Sequence, residues 1–503
     1  MVEQNAGAVD RALAPWVVPA VAALVVGRSA VFVLWPQAHF DSDQAVTGLM
    51  AKHLSELRAF PVFWYGQTYL LGVEAWLAAP LMRVLGASVV ALKLPLLAIN
   101  VAAAWLLLRI FVRDVGLDSG RAVFASLFFV AAAPATAALL VMANGGNVEP
   151  LLYVLLLWIC RRRPVWFGLI LGVGFLHREF TVYGAAALVA LDAVRGTLFT
   201  RASMRRYAIA LGTATAIWFL FLGLRQISSA AGPGTSVADL STRLAANNVV
   251  QVVGRLCLDV RAIATGTSQI ASTHWPELFG LEPEPLTDFG VETVLSQGVR
   301  WSALLLTIAL GLPAIRLGGL LLSRRTRGAA GCDACAYLVL AALFSVCGYI
   351  VGRCGVIDFA TMRYELMSVL GAAGLAAWYL RVERSRALLG VWALACAAIF
   401  AISLIVHARL LDEYVRQAPV APKQDLIRAL QARHIRYGYA DFWVAYYVTF
   451  MTRERIILTP EDAVKIRTYN RIVDAHRDQA VRISRQPCAG GEPLTQAFWS
   501  CRP

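Results

Sequence analysis

Charged residues are scarce in this sequence. Only 16% of its 503 residues are Asp, Glu, Lys or Arg, while 58% are hydrophobic, against roughly 25% charged in an ordinary soluble domain. That balance excludes a water-soluble domain and points to a membrane protein. Metal-binding patterns are scarce too. Of nine cysteines only Cys332 and Cys335 stand at C-x-x-C spacing, and with no second pair or histidine cluster a zinc site is not expected there. The polar C-terminal stretch has no glycine-rich phosphate loop, so nothing supports a nucleotide site in it. No internal repeat is evident, which disfavours inverted-repeat transporter folds. The first apolar run lacks a small-residue cleavage site after it and reads as a signal anchor, not a removed signal peptide.

What is present is a series of apolar runs, each judged against the roughly 20 residues needed for a span. They cover 14–35, 88–112, 122–142, 149–160, 164–177, 180–194, 207–224, 301–322, 336–352, 366–380 and 388–407. The expected fold is therefore mainly α, a polytopic helical bundle of about eleven spans by the same length criterion. The net charge of +14 does not indicate nucleic acid, because the basic residues recur in short loops. These are 109–121, 161–163, 195–206, 324–327 and 381–386, and under the positive-inside rule all five are cytoplasmic. The segment 39–87, the loops 143–149 and 225–300, the turns 176–180 and 352–365 and the tail from Ala408 then lie outside.

Segment 69–87 is apolar but short, and taking it as a span would invert every later loop. It reads as an interfacial helix carrying Glu74 and Arg83, and 42–58 reads as a second one. The loop from Ile227 to Arg300 is large enough to be a lid or a passive connector. The chain divides into a membrane domain, 1–407, and a small C-terminal unit, 408–503. In the second, KQDLIRALQARH and FWVAYYVTFMT read as helices and RYGYAD and ERIILTP as strands, the order of an α/β domain. Cys488 and Cys501 in that tail can form a disulfide if it is exported.

With this topology the unusual polar residues gather on one side. Asp41 and Asp43 follow the first run, and Asn144, Asn147 and Glu149 follow the third. His177, Arg178 and Glu179 end the fifth, and Arg363, Tyr364 and Glu365 open the tenth. Acids that accept protons or hold a metal, beside arginines that grip phosphate, suit a reaction on a lipid-linked anion. Each has a plainer reading. Asp41 or Asp43 can cap the helix beginning near Gln44, Arg363 can anchor at headgroups, and 177–179 can be an internally paired turn. Arg28, inside the first run, reads as a buried structural partner. Glu74 is either structural or substrate-facing.

HFDSDQAVTGLMAKHL, then PVFWYGQTYLLGVEAWLAAPLMRVLG, then a late RYELM resemble the GT-C superfamily of integral membrane glycosyltransferases, especially the protein O-mannosyltransferase and lipid A aminoarabinose transferase branch. The tail stretch YADFWVAYYVTFMTRERIIL looks like bacterial members. The resemblance implies sugar transfer from a polyprenyl-phosphate donor to an acceptor hydroxyl on a glycan, lipid or protein. It places the reaction at the outer face of the cytoplasmic membrane, with inversion and without nucleic acid. Asp43 is then the main catalytic acid-base residue, assisted by Asp41, with Gln44 where many relatives have Glu. Arg363 and Arg178 hold the departing phosphate, and Tyr65, Gln67, Tyr364, His177 and Glu74 are candidates for binding donor or acceptor. No metal is required in that branch, although an Asp-Ser-Asp pair can bind Mg2+ or Mn2+. A transporter or flippase for a lipid-linked substrate is the alternative, and it should carry ionisable groups near the bilayer midplane. A silent scaffold is the third reading.

Overall fold

The computed structural model describes residues 13–239, 259–282, 285–288, 291–294, 298–322, 331–353 and 359–502. The basic run 324–327, Cys257 and Cys354 lie outside the described residues, as does part of the loop between Ile227 and Arg300.

Every long apolar run is helical. The first ten helices are α1 (Val17–Leu34), α2 (Ser42–Ser55), α3 (Val73–Leu85), α4 (Val89–Ile110) and α5 (Ser119–Val130). They continue as α6 (Pro134–Leu140), α7 (Glu149–Cys160), α8 (Pro164–His177), α9 (Thr181–Val194) and α10 (Arg201–Leu224). Further helices cover Ser302–Leu322, Asp333–Arg353, Met367–Val382 and Arg386–Gln417. Among the described residues six helices are long and apolar enough to cross a bilayer by themselves. The run 122–142 is instead a broken pair, α5 and α6, meeting at 80°, where Pro134 starts a new helix because it cannot continue the old one's hydrogen bonds. Helices α7, α8 and α9 have 12, 14 and 14 residues, short of the usual span.

Helices α2 and α3, with 14 and 13 residues, lie between α1 and α4 in sequence and are too short to cross. Lys93 on α4 ties their entry to the bundle, donating to the carbonyls of Phe32 and His39 at 2.9 Å each. Arg28 is buried, and its Nη2 donates to Asn100 Oδ1 on α4 at 2.8 Å while its guanidinium lies over Phe129. It is a structural partner between three helices.

The C-terminal unit is α/β. Its five strands are β3 (Tyr437–Ala440), β4 (Ile457–Pro460), β5 (Val481–Ser484), β6 (Glu492–Pro493) and β7 (Trp499–Cys501). A separate antiparallel hairpin, β1 (Pro285–Asp288) and β2 (Val291–Val294), precedes them. The sheet order is β4-β3-β5-β7-β6, with β3 parallel to β4 and β5 and with β7 antiparallel to β5 and β6. The parallel pairs are joined through the helices Phe442–Met451 and Arg467–Ala475, as parallel strands require. A disulfide joins Cys488 to Cys501. The helix Arg386–Gln417 runs through residue 408, so the fall in hydropathy there lies within a helix, and the α/β elements begin at Pro422.

The apolar helix Phe442–Met451 is buried between the sheet and α2. Phe40 meets Tyr447 and Phe450 at 5.8 and 5.5 Å, and a Cβ on Gly48 of α2 would come within 2.5 Å of the Phe450 ring. Only glycine allows that approach.

Candidate active site

The site forms where α2, the loop 141–148, the α8–α9 turn, residues 363–365 and the C-terminal unit meet. Asp41 is the N-cap of α2, its Oδ1 accepting from Gln44 N at 3.0 Å, so the plainer reading holds for this one of the two acids. Asp43, two residues on, has no capping bond and faces a field of charge. Burial raises its pKa to about 6 and Asp41 adds to the rise, while Arg363, Lys465 and Arg178 pull it down. Three cations contributed by three distant parts of the chain thus act on one carboxylate.

Gln44 is fully buried. Its side-chain oxygen accepts from Ala143 N at 3.4 Å and its amide donates to His39 O at 3.4 Å, which joins α2 to the 141–148 loop. Glu74 of α3 holds the same loop. Its carboxylate accepts from the backbone N–H of Gly145 and of Gly146, each at 2.8 Å. Both glycines have φ above 90°, a backbone that disfavours a side chain. Burial pushes the Glu74 carboxyl up to about 7 against those two bonds and Arg178.

The tripeptide 177–179 is not an internally paired turn. His177 points inward, with Nδ1 3.1 Å from the Tyr153 hydroxyl. Arg178 donates to Gly145 O at 3.1 Å and lies over Phe180 and Tyr364, and Glu179 is exposed. Tyr364 is buried, stacked on Tyr349 at 5.5 Å, and its hydroxyl accepts from Arg363 Nη2 at 3.2 Å. Glu365 is buried against His274 Nδ1 at 2.8 Å. Residues 363–365 are thereby fixed on three sides, and Arg178 and Arg363 lie over the same tyrosine ring.

Tyr65 and Gln67 separate. The Tyr65 hydroxyl lies 3.1 Å from His53 Nδ1, in a buried network with Tyr469 and Glu454. Gln67 keeps a buried Oε1 without a hydrogen-bond partner among the described residues. The same is true of Asn144 Oδ1, Asn147 Oδ1, Glu149 Oε1, His177 Nε2, Arg178 Nε and Arg363 Nε. Buried polar atoms are seldom left unpaired; of these, Glu149 and His177 come within 4.8 Å of each other and Arg178 and Arg363 share the Tyr364 ring, while others, such as Arg28 Nε and Thr459 Oγ1, lie elsewhere.

Two groups bear on the metal question. In the Asp-Ser-Asp pair one carboxylate oxygen of Asp41, Oδ1, serves as the helix cap, and in the second group both oxygens of Glu74 already accept from Gly145 and Gly146. Glu74, Glu149 and His177 are all buried and offer ligand atoms within 4.8 Å of one another, a mixed oxygen and nitrogen set that suits Zn2+ or Mn2+ better than Mg2+.

Lys465 was not legible as a site residue. It lies over the Trp64 ring at 5.4 Å, Trp64 Nε1 donates to Thr47 Oγ1 of α2 at 2.9 Å, and burial lowers the lysine's pKa while Asp43 raises it. No local pattern marks it, because only the docking of the C-terminal unit brings it to α2.

No protein-family model matches the chain, and no curated protein matches its sequence. Solved structures do. ArnT from Cupriavidus metallidurans bound to undecaprenyl phosphate superposes with a TM-score of 0.57 at 12% identity, over 96% of this chain and 97% of that one. The apo oligosaccharyltransferase of Archaeoglobus fulgidus gives 0.52 at 11% identity, over 93% and 69%. The chain has the GT-C fold. In this fold the pieces HFDSDQ and RYE, far apart in sequence, bring Asp43 and Arg363 within electrostatic reach of each other.

Proposed function

We propose that this protein is a membrane glycosyltransferase that moves a sugar from a polyprenyl-phosphate donor to an acceptor hydroxyl. The observation that carries the reading is Asp43, a carboxylate with a raised pKa set among Arg178, Arg363 and Lys465. A base with a pKa of about 6 is mostly ionised at neutral pH and still strong enough to take a proton as the transfer proceeds.

In the reaction, the acceptor hydroxyl gives its proton to Asp43 as its oxygen bonds to the anomeric carbon. The bond from that carbon to the phosphate oxygen breaks, and the electron pair leaves with the polyprenyl phosphate. Direct displacement inverts the anomeric centre. Arg363 and Arg178, fixed over Tyr364, stabilise the charge that grows on the phosphate. Glu74 and Gln44 act on the 141–148 loop, which presents Asn144 and Asn147. These two, with Gln67, are the candidates for sugar or acceptor hydroxyls.

The orientation that fits puts this site and the C-terminal unit on the extracytoplasmic side of the cytoplasmic membrane. Two observations support it: the basic residues at 161–163 and 195–206, and the Cys488–Cys501 disulfide, which belongs in an oxidising compartment. The site groups lie at helix ends and not at midspan, which favours transfer over transport.

Binding of undecaprenyl phosphate to the purified protein, followed by native mass spectrometry, tests the donor. Arg363→Gln and Arg178→Gln should each weaken retention about tenfold, the size of one charge-assisted phosphate contact. Unchanged retention by both would remove the phosphate role.

A further inference from the structure

A second charged cavity lies far from this site. It has a volume of about 350 Å³ and is lined by Arg161, Arg162, Arg195 and Arg206, with Thr200 and Ser203 among its polar groups. Helices α7, α8 and α9 run between the two places. Glu149, His177 and Thr181 mark their ends at the transfer site, and Cys160, Pro164 and Val194 their ends at the cavity. Helices of 12 and 14 residues separate the two by roughly 18–21 Å.

Aromatic and acidic neighbours, Asp192 and Asp333 of the lining among them, hold three of the arginines in place. Arg161 stacks on Trp158 at 3.9 Å and donates to the Trp158 carbonyl at 2.7 Å, with Asp114 at 3.7 Å. Arg206 lies over Tyr207 and pairs with Asp192, which also accepts from the Tyr207 hydroxyl at 2.6 Å. Arg195 pairs with Asp333. Arg162 has no acidic partner among the described residues, so the lining keeps an excess of positive charge. Helices α8 and α10 start here, at Pro164 and Arg201, while α7 and α9 end here, at Cys160 and Val194, so the helix dipoles offset one another and the positive excess is that of the side chains. Beside the cavity Trp166, Val194 and Phe199 are exposed, the last two by more than four-fifths, as suits side chains in lipid. A guanidinium-lined cavity beside exposed apolar groups fits an amphiphile with an anionic head.

We infer that this cavity holds the phosphate headgroup of an anionic membrane phospholipid, in the leaflet opposite the transfer site. None of its residues belongs to the transfer site, so the inference stands or falls separately from the proposed reaction.

The test is native mass spectrometry of the full-length protein titrated with phosphatidylglycerol or phosphatidylcholine, with inorganic phosphate as a soluble competitor. Phosphatidylglycerol should be retained preferentially. Arg162→Gln, which breaks no ion pair, should weaken it about fivefold, and Arg162→Gln with Arg206→Gln about 25-fold, from roughly fivefold per cation near a lipid phosphate. Arg162→Lys should retain it, and Arg477→Gln, on the exposed C-terminal surface, should change nothing. Equal retention of the two lipids overturns the inference, as does unchanged affinity in Arg162→Gln. If inorganic phosphate at the lipid's own concentration displaces it fully, the cavity is a site for a soluble anion and the lipid assignment fails.

Discussion

Asp43, the base of the proposed reaction, carries an energetic cost. Its pKa is raised to about 6, first by burial and then by Asp41, from roughly 3.9 in an unfolded chain. The folded protein therefore binds the proton more tightly than the unfolded one, and stability falls as pH rises from about 4 to about 6. At neutral pH the ionised carboxylate costs about 3 kcal/mol. Asp43→Asn should thus abolish transfer and raise the thermal midpoint at pH 7, with the gain disappearing near pH 4, which thermal melts at the two pH values will check. A merely structural aspartate would lose stability on substitution. For the intact enzyme, kcat/KM should increase with pH through about 6 and then level off, because the base works in its ionised form. A rate independent of pH between 5 and 7 would contradict that role.

At the level of elements, the C-terminal unit and α2 form one working piece. Glu454 receives bonds from His53 Nε2 at 3.0 Å and from the Tyr469 hydroxyl at 2.9 Å, and it pairs with Lys52 and Arg58. Burial alone would raise its pKa, but the bonds from His53 and Lys52 hold it well below the usual carboxylate range. That stabilisation is present above the unfolded value, roughly 4.3, and is lost as pH falls through the lower folded value. Glu454→Gln should destabilise the protein by about 2–3 kcal/mol at pH 7, since it leaves buried donors and charges without a partner. Gly48→Leu should separate the helix Phe442–Met451 from α2 and displace Lys465, lowering transfer at least tenfold while leaving insertion intact. Activity assays and proteolysis of the C-terminal unit would measure both effects. These couplings explain what the sequence hid. The Asp-Ser-Asp motif, the shortness of the helices α2 and α3 and the strands of the tail are local patterns and could be read directly. Lys465, the Gln44 bridge to Ala143 and the Glu74 grip on Gly145 and Gly146 arise only from packing between distant segments.

For the whole molecule, hydropathy was sufficient to find the helices because each must bury its own backbone polar groups in lipid. It did not foresee the 80° break between α5 and α6, since both halves are equally apolar. Orientation is testable on the same scale. Single cysteines at Asp478, exposed in the C-terminal unit, and at Arg201, exposed beside the arginine-rich cavity, should behave oppositely. In intact cells a membrane-impermeant maleimide should label the first and not the second, in a background lacking the free cysteines. Labelling of only Arg201→Cys would invert the proposed topology. The measurement that tests the central assignment most directly is mass spectrometry of lipid-linked sugars and envelope glycans from cells carrying the intact gene, a deletion or Asp43→Asn. Accumulation of one polyprenyl-phosphate sugar and loss of one glycan residue in both mutants is the expected result. A change in the deletion strain alone, with Asp43→Asn matching the intact gene, would contradict Asp43 as the catalytic base.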